Sequence, residues 1–120
     1  MSEMRGVLVD TAQRLFSDLC TADVHASAEA SEWQPALWSA LESVGLSDAA
    51  RTADRGGAGA DIGDAMAVVR EAGAVSLPAP LAEGMLAELI LAAAQLPPRA
   101  GVVTIGPVVT SDNLVLRRRG

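Results

Sequence analysis

The sequence predicts a mainly α fold: an up-down helical bundle of about five helices, followed by two or three short β-strands that begin a separate β-domain. Three observations lead there. Apolar residues recur at helical spacing through much of the first 96 positions. Glycine and proline punctuate that stretch at Gly45, Gly56-Gly57-Ala58-Gly59, Leu77-Pro78-Ala79-Pro80 and Leu96-Pro97-Pro98. After Pro98 the texture turns β-branched. The boundary near Pro97 divides the chain into an N-terminal helical domain, residues 1–97, and the start of an incomplete β-domain, residues 98–120.

In the first helix Leu8, Ala12, Leu15, Phe16 and Leu19 fall at i, i+4, i+7, i+8 and i+11, with Asp10, Gln13, Arg14, Ser17 and Asp18 opposite. Thr21 is placed to cap a short second helix through Ala30, whose stripe of Ala22, Ala26 and Ala30 is thin. A third helix opens at Trp33-Gln34-Pro35, where a first-turn proline has no amide to lose. Leu37, Trp38, Leu41 and Val44 form its expected buried stripe. Gly45 ends it in a left-handed cap, with Leu46 folding back onto Leu41.

Ser47 to Arg55 is polar and runs into the glycine loop. Glycines at 56, 57, 59 and 63 do not fit Gly-x-Gly-x-x-Gly, and no β-branched run precedes them, so they read as positive-φ and close-approach positions rather than a phosphate cradle. Asp61, with Asp64 three residues on, caps the fourth helix. Its expected inner stripe is Ile62, Met66, Val69 and Gly73, with Arg70 and Glu71 facing out. Pro78 and Pro80 forbid continuation, and a fifth helix starts near Leu81. That helix is apolar almost all round, which belongs in an interior; a lone bundle of this size leaves part of it exposed. Strand signals then follow at Val102–Ile105, Val108–Thr110 and Asn113–Leu116, with a turn at Ser111-Asp112-Asn113. Arg117-Arg118-Arg119 reads as a solvated strand end.

Composition narrows the function classes. Net charge is -6 and all nine basic residues are arginine, which disfavours a nucleic-acid binder. With no lysine there is no P-loop lysine, Schiff base or lysine general base, and no tyrosine is present as a proton donor. Cys20 stands alone, so no internal disulfide forms, and it reads as a small buried hydrophobe. His25 has no companion ligands, so no metal site is expected. The N-terminus does not read as a signal peptide, and Leu81 to Leu96 is broken by Glu83 and Glu88 and too short to span a bilayer. The expected setting is cytoplasmic, with no membrane and no nucleic-acid partner.

Trp38 with Leu41 and Gly45-Leu46, then Gly56-Gly57-Ala58-Gly59, then Glu71-Ala72-Gly73, then Pro78-Ala79-Pro80-Leu81-Ala82-Glu83 recur in an order and at spacings similar to the N-terminal α-helical domain of the acyl-CoA dehydrogenase family. The resemblance covers most of residues 5 to 96. It implies a share in an FAD-dependent flavoenzyme that forms a double bond between the α and β carbons of an acyl-CoA thioester, a glutamate taking the α proton while hydride leaves to FAD. In the family that glutamate and most flavin contacts lie in later domains, so no catalytic residue is expected here and the chain alone is expected to be inactive. The family's acyl chain lies along the helix corresponding to residues 81 to 95, which makes Leu81, Gly84, Met85 and Glu88 the candidate substrate-pocket residues, against a reading in which Met85 and its neighbours are plain core. The chain departs from the family pattern at Ala53-Asp54-Arg55, at Arg70-Glu71 and in its first strand, which suggests a divergent member working in a homo- or hetero-oligomer with related chains. The alternative, from a different class, is a non-catalytic subunit or helical interaction module that docks onto a partner flavoprotein.

Overall fold

The structure, a computed structural model, describes residues 3–110 and 113–118, with side chains to Ile105. Five α-helices precede two strands among the described residues: α1 Glu3–Leu19, α2 Ala22–Glu29, α3 Pro35–Ser43, α4 Ile62–Ala74, α5 Leu81–Ala93, β1 Val103–Thr110 and β2 Asn113–Arg118. The mainly helical expectation holds. Thr21 caps α2, its hydroxyl oxygen accepting from the Val24 amide, and Pro35 opens α3. At the end of α3, Gly45 takes φ 78°, its amide donates to the Glu42 carbonyl and the Leu46 amide donates to the Leu41 carbonyl. Leu41 and Leu46 are both fully buried, so the cap also fastens two core side chains together.

The core is built from Leu8, Ala12 and Phe16 of α1, Trp38 and Leu41 of α3, Ala65 and Val68 of α4, Leu81 and Met85 of α5, and Leu46, Ala49 and Ala60 between α3 and α4. Alanine at the contacts lets helix backbones approach closely, and a core poor in aromatics needs that to fill its volume. α1 packs chiefly against α4. Arg5 pairs with Asp64 at 2.9 Å, and Gln13 donates to Glu71 at 3.3 Å, so the two helices run in the same direction. A strict up-down alternation would set the first and fourth helices antiparallel. The long connection after α3, residues 44–61, supplies the chain needed to reverse the order.

Two expected faces are corrected. Ile62 and Met66 of α4 are 64% and 51% exposed, and the buried positions are Asp64, Ala65 and Val68 instead. Asp64 turns inward because its carboxylate completes a capping box with Asp61 and meets the Arg5 guanidinium, and this rotates the helix. Val44, expected inside, is exposed because it has become the C-cap residue of α3.

The β-branched runs separated by Gly106-Pro107 are one strand, not two. β1 pairs antiparallel with β2, and the register shifts between Ile105 and Val109, where Pro107 has no amide to give the ladder. The expected turn residues Ser111 and Asp112 lie outside the described residues, as does Arg119 of the arginine run. The hairpin rests on α5: the Ile105 amide donates to Glu83 Oε2 at 3.4 Å, and a Cβ at Gly84 would touch the Val103 carbonyl oxygen. A two-stranded hairpin is marginal in water by itself, so this support matters.

Candidate functional site

The loop between α3 and α4 closes on itself. The Ala60 amide donates to the Ala49 carbonyl, and inside that ring the amides of Gly56, Gly57 and Gly59 donate to Ala53, Thr52 and Arg51 carbonyls. Gly56 and Gly59 have positive φ, and a side chain at Gly57 would strike the Arg51 carbonyl oxygen at 2.2 Å. These glycines thus serve tight turning and close approach, as their spacing implied. Their amides are committed within the loop and are not offered to a phosphate.

What the ring does present is a pair of arginines. Arg55 Nε donates to Glu88 Oε1 at 2.7 Å, and Arg51 Nε lies 3.2 Å from Glu88 Oε2, an ion-pair contact whose angle leaves that N–H poorly aligned. Glu88 sits on α5 with its side chain only 7% exposed. A carboxylate at that depth requires a partner, because desolvation of an unpaired charge is prohibitive. The guanidiniums continue outward: Arg55 Nη1 donates to the Leu96 carbonyl at 2.7 Å and Arg51 Nη2 to the Arg99 carbonyl at 2.8 Å.

Beside this triad is a cleft of ≈ 280 Å³ where α3, α5, the 47–51 segment and the approach to β1 meet. Its walls include Trp38, Arg51, Gly84, Glu88, Leu91 and Val103. Of the four candidate pocket residues, Gly84 and Glu88 reach the cleft, and the Trp38 ring edge lies 3.8 Å from where a Cβ on Gly84 would stand, an ordinary packing distance. Leu81 and Met85 do not line it; both are buried in the core. Arg51 and Arg55 escaped the sequence reading. The signal that points to them is Glu88 itself, a lone acid inside an apolar helix that must find cations elsewhere in the chain.

The cleft does not fit FAD. Small-molecule sites run to about 300–1,000 Å³, and a flavin dinucleotide needs far more than the lower edge of that range. Nor is Glu88 poised as a general base, since both its oxygens face guanidiniums. Trp38 Nε1 is buried without an acceptor. Cys20 lies far along the sequence from these residues; burial pushes its thiol above the ordinary value of 9.0, which weakens it as a nucleophile. Among the described residues no group of His, Cys, Asp and Glu is gathered to hold a metal, and no described helix is long and apolar enough to cross a membrane.

The fold and cleft together define a helical domain with a hairpin leaning on its last helix and a small mixed-polarity cleft at the junction. Compared with known family models, curated proteins and solved structures, the chain finds no match.

Proposed function

We propose that this chain is the helical N-terminal part of an acyl-CoA dehydrogenase-like flavoprotein, with residues 1–97 as the helical domain and 98–120 opening a β-domain, working in a cytoplasmic oligomer with related chains. The observation that carries the reading is the position of Gly84 and Glu88 on the wall of a cleft where the fifth helix meets the first strand. The order of elements, from the Gly45-Leu46 stop through the glycine loop and the Pro-x-Pro bend to an apolar helix, supports the same reading. In this reading the chain contributes one wall of an acyl-CoA site. FAD and the proton-abstracting glutamate come from protein beyond the residues described, and the chain alone is inactive.

Purification with excess FAD and an acyl-CoA tests it. The expected result is no retained flavin and no bleaching by the 120-residue chain, with both restored when a longer form or a related flavoprotein chain is supplied. Stoichiometric flavin with substrate bleaching by the chain alone overturns the claim of inactivity.

A second reading, a non-catalytic subunit docking onto a partner flavoprotein, is favoured by the exposure of Leu86 and Leu89 on α5. Light scattering separates the two: a stable, clean monomer that does not co-purify with a flavoprotein counts against docking.

A further inference from the structure

The guanidinium bonds to Leu96 and Arg99 have a meaning independent of any family reading. Residues 96–101 form the connector from α5 to β1, all exposed and without regular structure. The Leu96 amide still closes the end of α5 by donating to the Leu91 carbonyl. Beyond that bond, two of the connector's backbone carbonyls tie it to the bundle, each accepting from an arginine that also contacts Glu88.

A guanidinium is planar and rigid, so a bond at Nε fixes where the terminal nitrogens point. Glu88 accepts from Arg55 Nε and thereby aims Arg55 Nη1 at the Leu96 carbonyl, while Arg51 meets the same carboxylate as an ion pair at 3.2 Å and reaches the Arg99 carbonyl with Nη2. The arginines are themselves held from behind by the closed ring of residues 49–60, where Gly57 and Gly59 pack on the Arg51 backbone. Arg99, Ala100 and Gly101 are also cleft-wall residues.

We infer that Arg51, Arg55 and Glu88 form a latch that straps the 96–101 connector across one side of the cleft, so that access to the cleft is set by whether the latch is closed. The strap is a segment between two fixed ends, α5 and β1. Its release uncovers the wall made by Arg99 to Gly101 without unfolding the helices. The three side chains act as one unit: removing Glu88 frees both arginines, whereas removing one arginine leaves Glu88 neutralised by the other.

Trypsin reads this directly, because Arg99 is followed by Ala100 and is a cleavage site within the strap. When reclosing outpaces cleavage, the rate follows the population of the open form. Arg14, exposed on α1, serves as the internal reference for general loosening. Glu88→Gln keeps the shape and removes the charge that strengthens these bonds. Cleavage at Arg99 is expected to accelerate about tenfold or more, by the worth of a charged hydrogen bond, with Arg14 cleavage unchanged. Arg51→Gln, which removes the bond to the Arg99 carbonyl and leaves the Arg55–Glu88 pair intact, is also expected to accelerate cleavage at Arg99, and it carries the test if Glu88→Gln fails to fold. Unchanged cleavage at Arg99 in the folded variants, or a rise that Arg14 shares equally, overturns the latch.

Discussion

Gly57 and Gly73 are the same residue in opposite situations. A Cβ at Gly57 would sit 2.2 Å from the Arg51 carbonyl oxygen, which is backbone and cannot swing away. A Cβ at Gly73, inside α4, meets nothing within 4 Å. Gly57→Ala is therefore expected to destabilise the fold by roughly 1–3 kcal/mol through overpacking. Gly73→Ala is expected to stabilise it by about 0.5–1 kcal/mol, because alanine loses less backbone freedom in a helix. Urea denaturation midpoints of the two variants against the parent check the opposite signs. The sequence reading anticipated the close approach at the glycine loop, but the partner of that approach, Arg51, is a tertiary fact. Buried Glu88 was legible only as a demand for a cation, since nothing in the spacing says which of nine arginines answers it.

At the scale of the element, helix ends were more legible than helix faces. The Gly45-Leu46 stop and the Asp61–Asp64 start depend on local backbone chemistry, which a few neighbouring residues specify. The face of α4 depends on what docks there. Large residues were expected inside, yet Ala12 of α1 and Ala65 of α4 are buried while Ile62 and Met66 face solvent. Asp64 resolves the paradox, since its carboxylate serves the cap and the Arg5 ion pair at once. Asp61→Ala removes the carboxylate that accepts from the Asp64 amide and is expected to cost about 1 kcal/mol, the usual worth of an N-cap. Asp64→Ala is expected to cost more, because it removes the reciprocal half of the capping box together with a buried charge partner of Arg5. Thermal melts of both variants, read by far-ultraviolet dichroism, order the two losses.

For the molecule as a whole, the mainly helical class was legible from periodicity and punctuation, while the directions of the helices were not. The parallel setting of α1 and α4 follows from a connection whose path is fixed by ring-closing backbone bonds rather than by hydrophobic pattern. The apolar fifth helix divides its surface: Leu81, Met85 and Leu91 are buried, while Leu86 is 50% exposed. Leu86→Gln is accordingly expected to change stability by no more than about 0.5 kcal/mol, whereas Leu41→Ala, at a fully buried site, is expected to cost about 2–5 kcal/mol. Denaturant titration of the two variants checks the contrast. If Leu86 belongs to a docking surface, its replacement also reduces any association seen by light scattering, without moving the denaturation midpoint.

The placement of the two tryptophans has a further consequence. Trp33 and Trp38 have ring centroids 6.3 Å apart, one just ahead of α3 and the other within it, and the chain has no tyrosine. Intrinsic emission is therefore a local gauge, excited and quenched at one corner of the molecule near the cleft. The packing of α1 on α4 carries no indole of its own. Fluorescence and dichroism coincide in a denaturant titration only if α1 and α4 melt together with the cleft, so the placement of two indoles turns an ordinary unfolding curve into a measure of how cooperatively the bundle is joined.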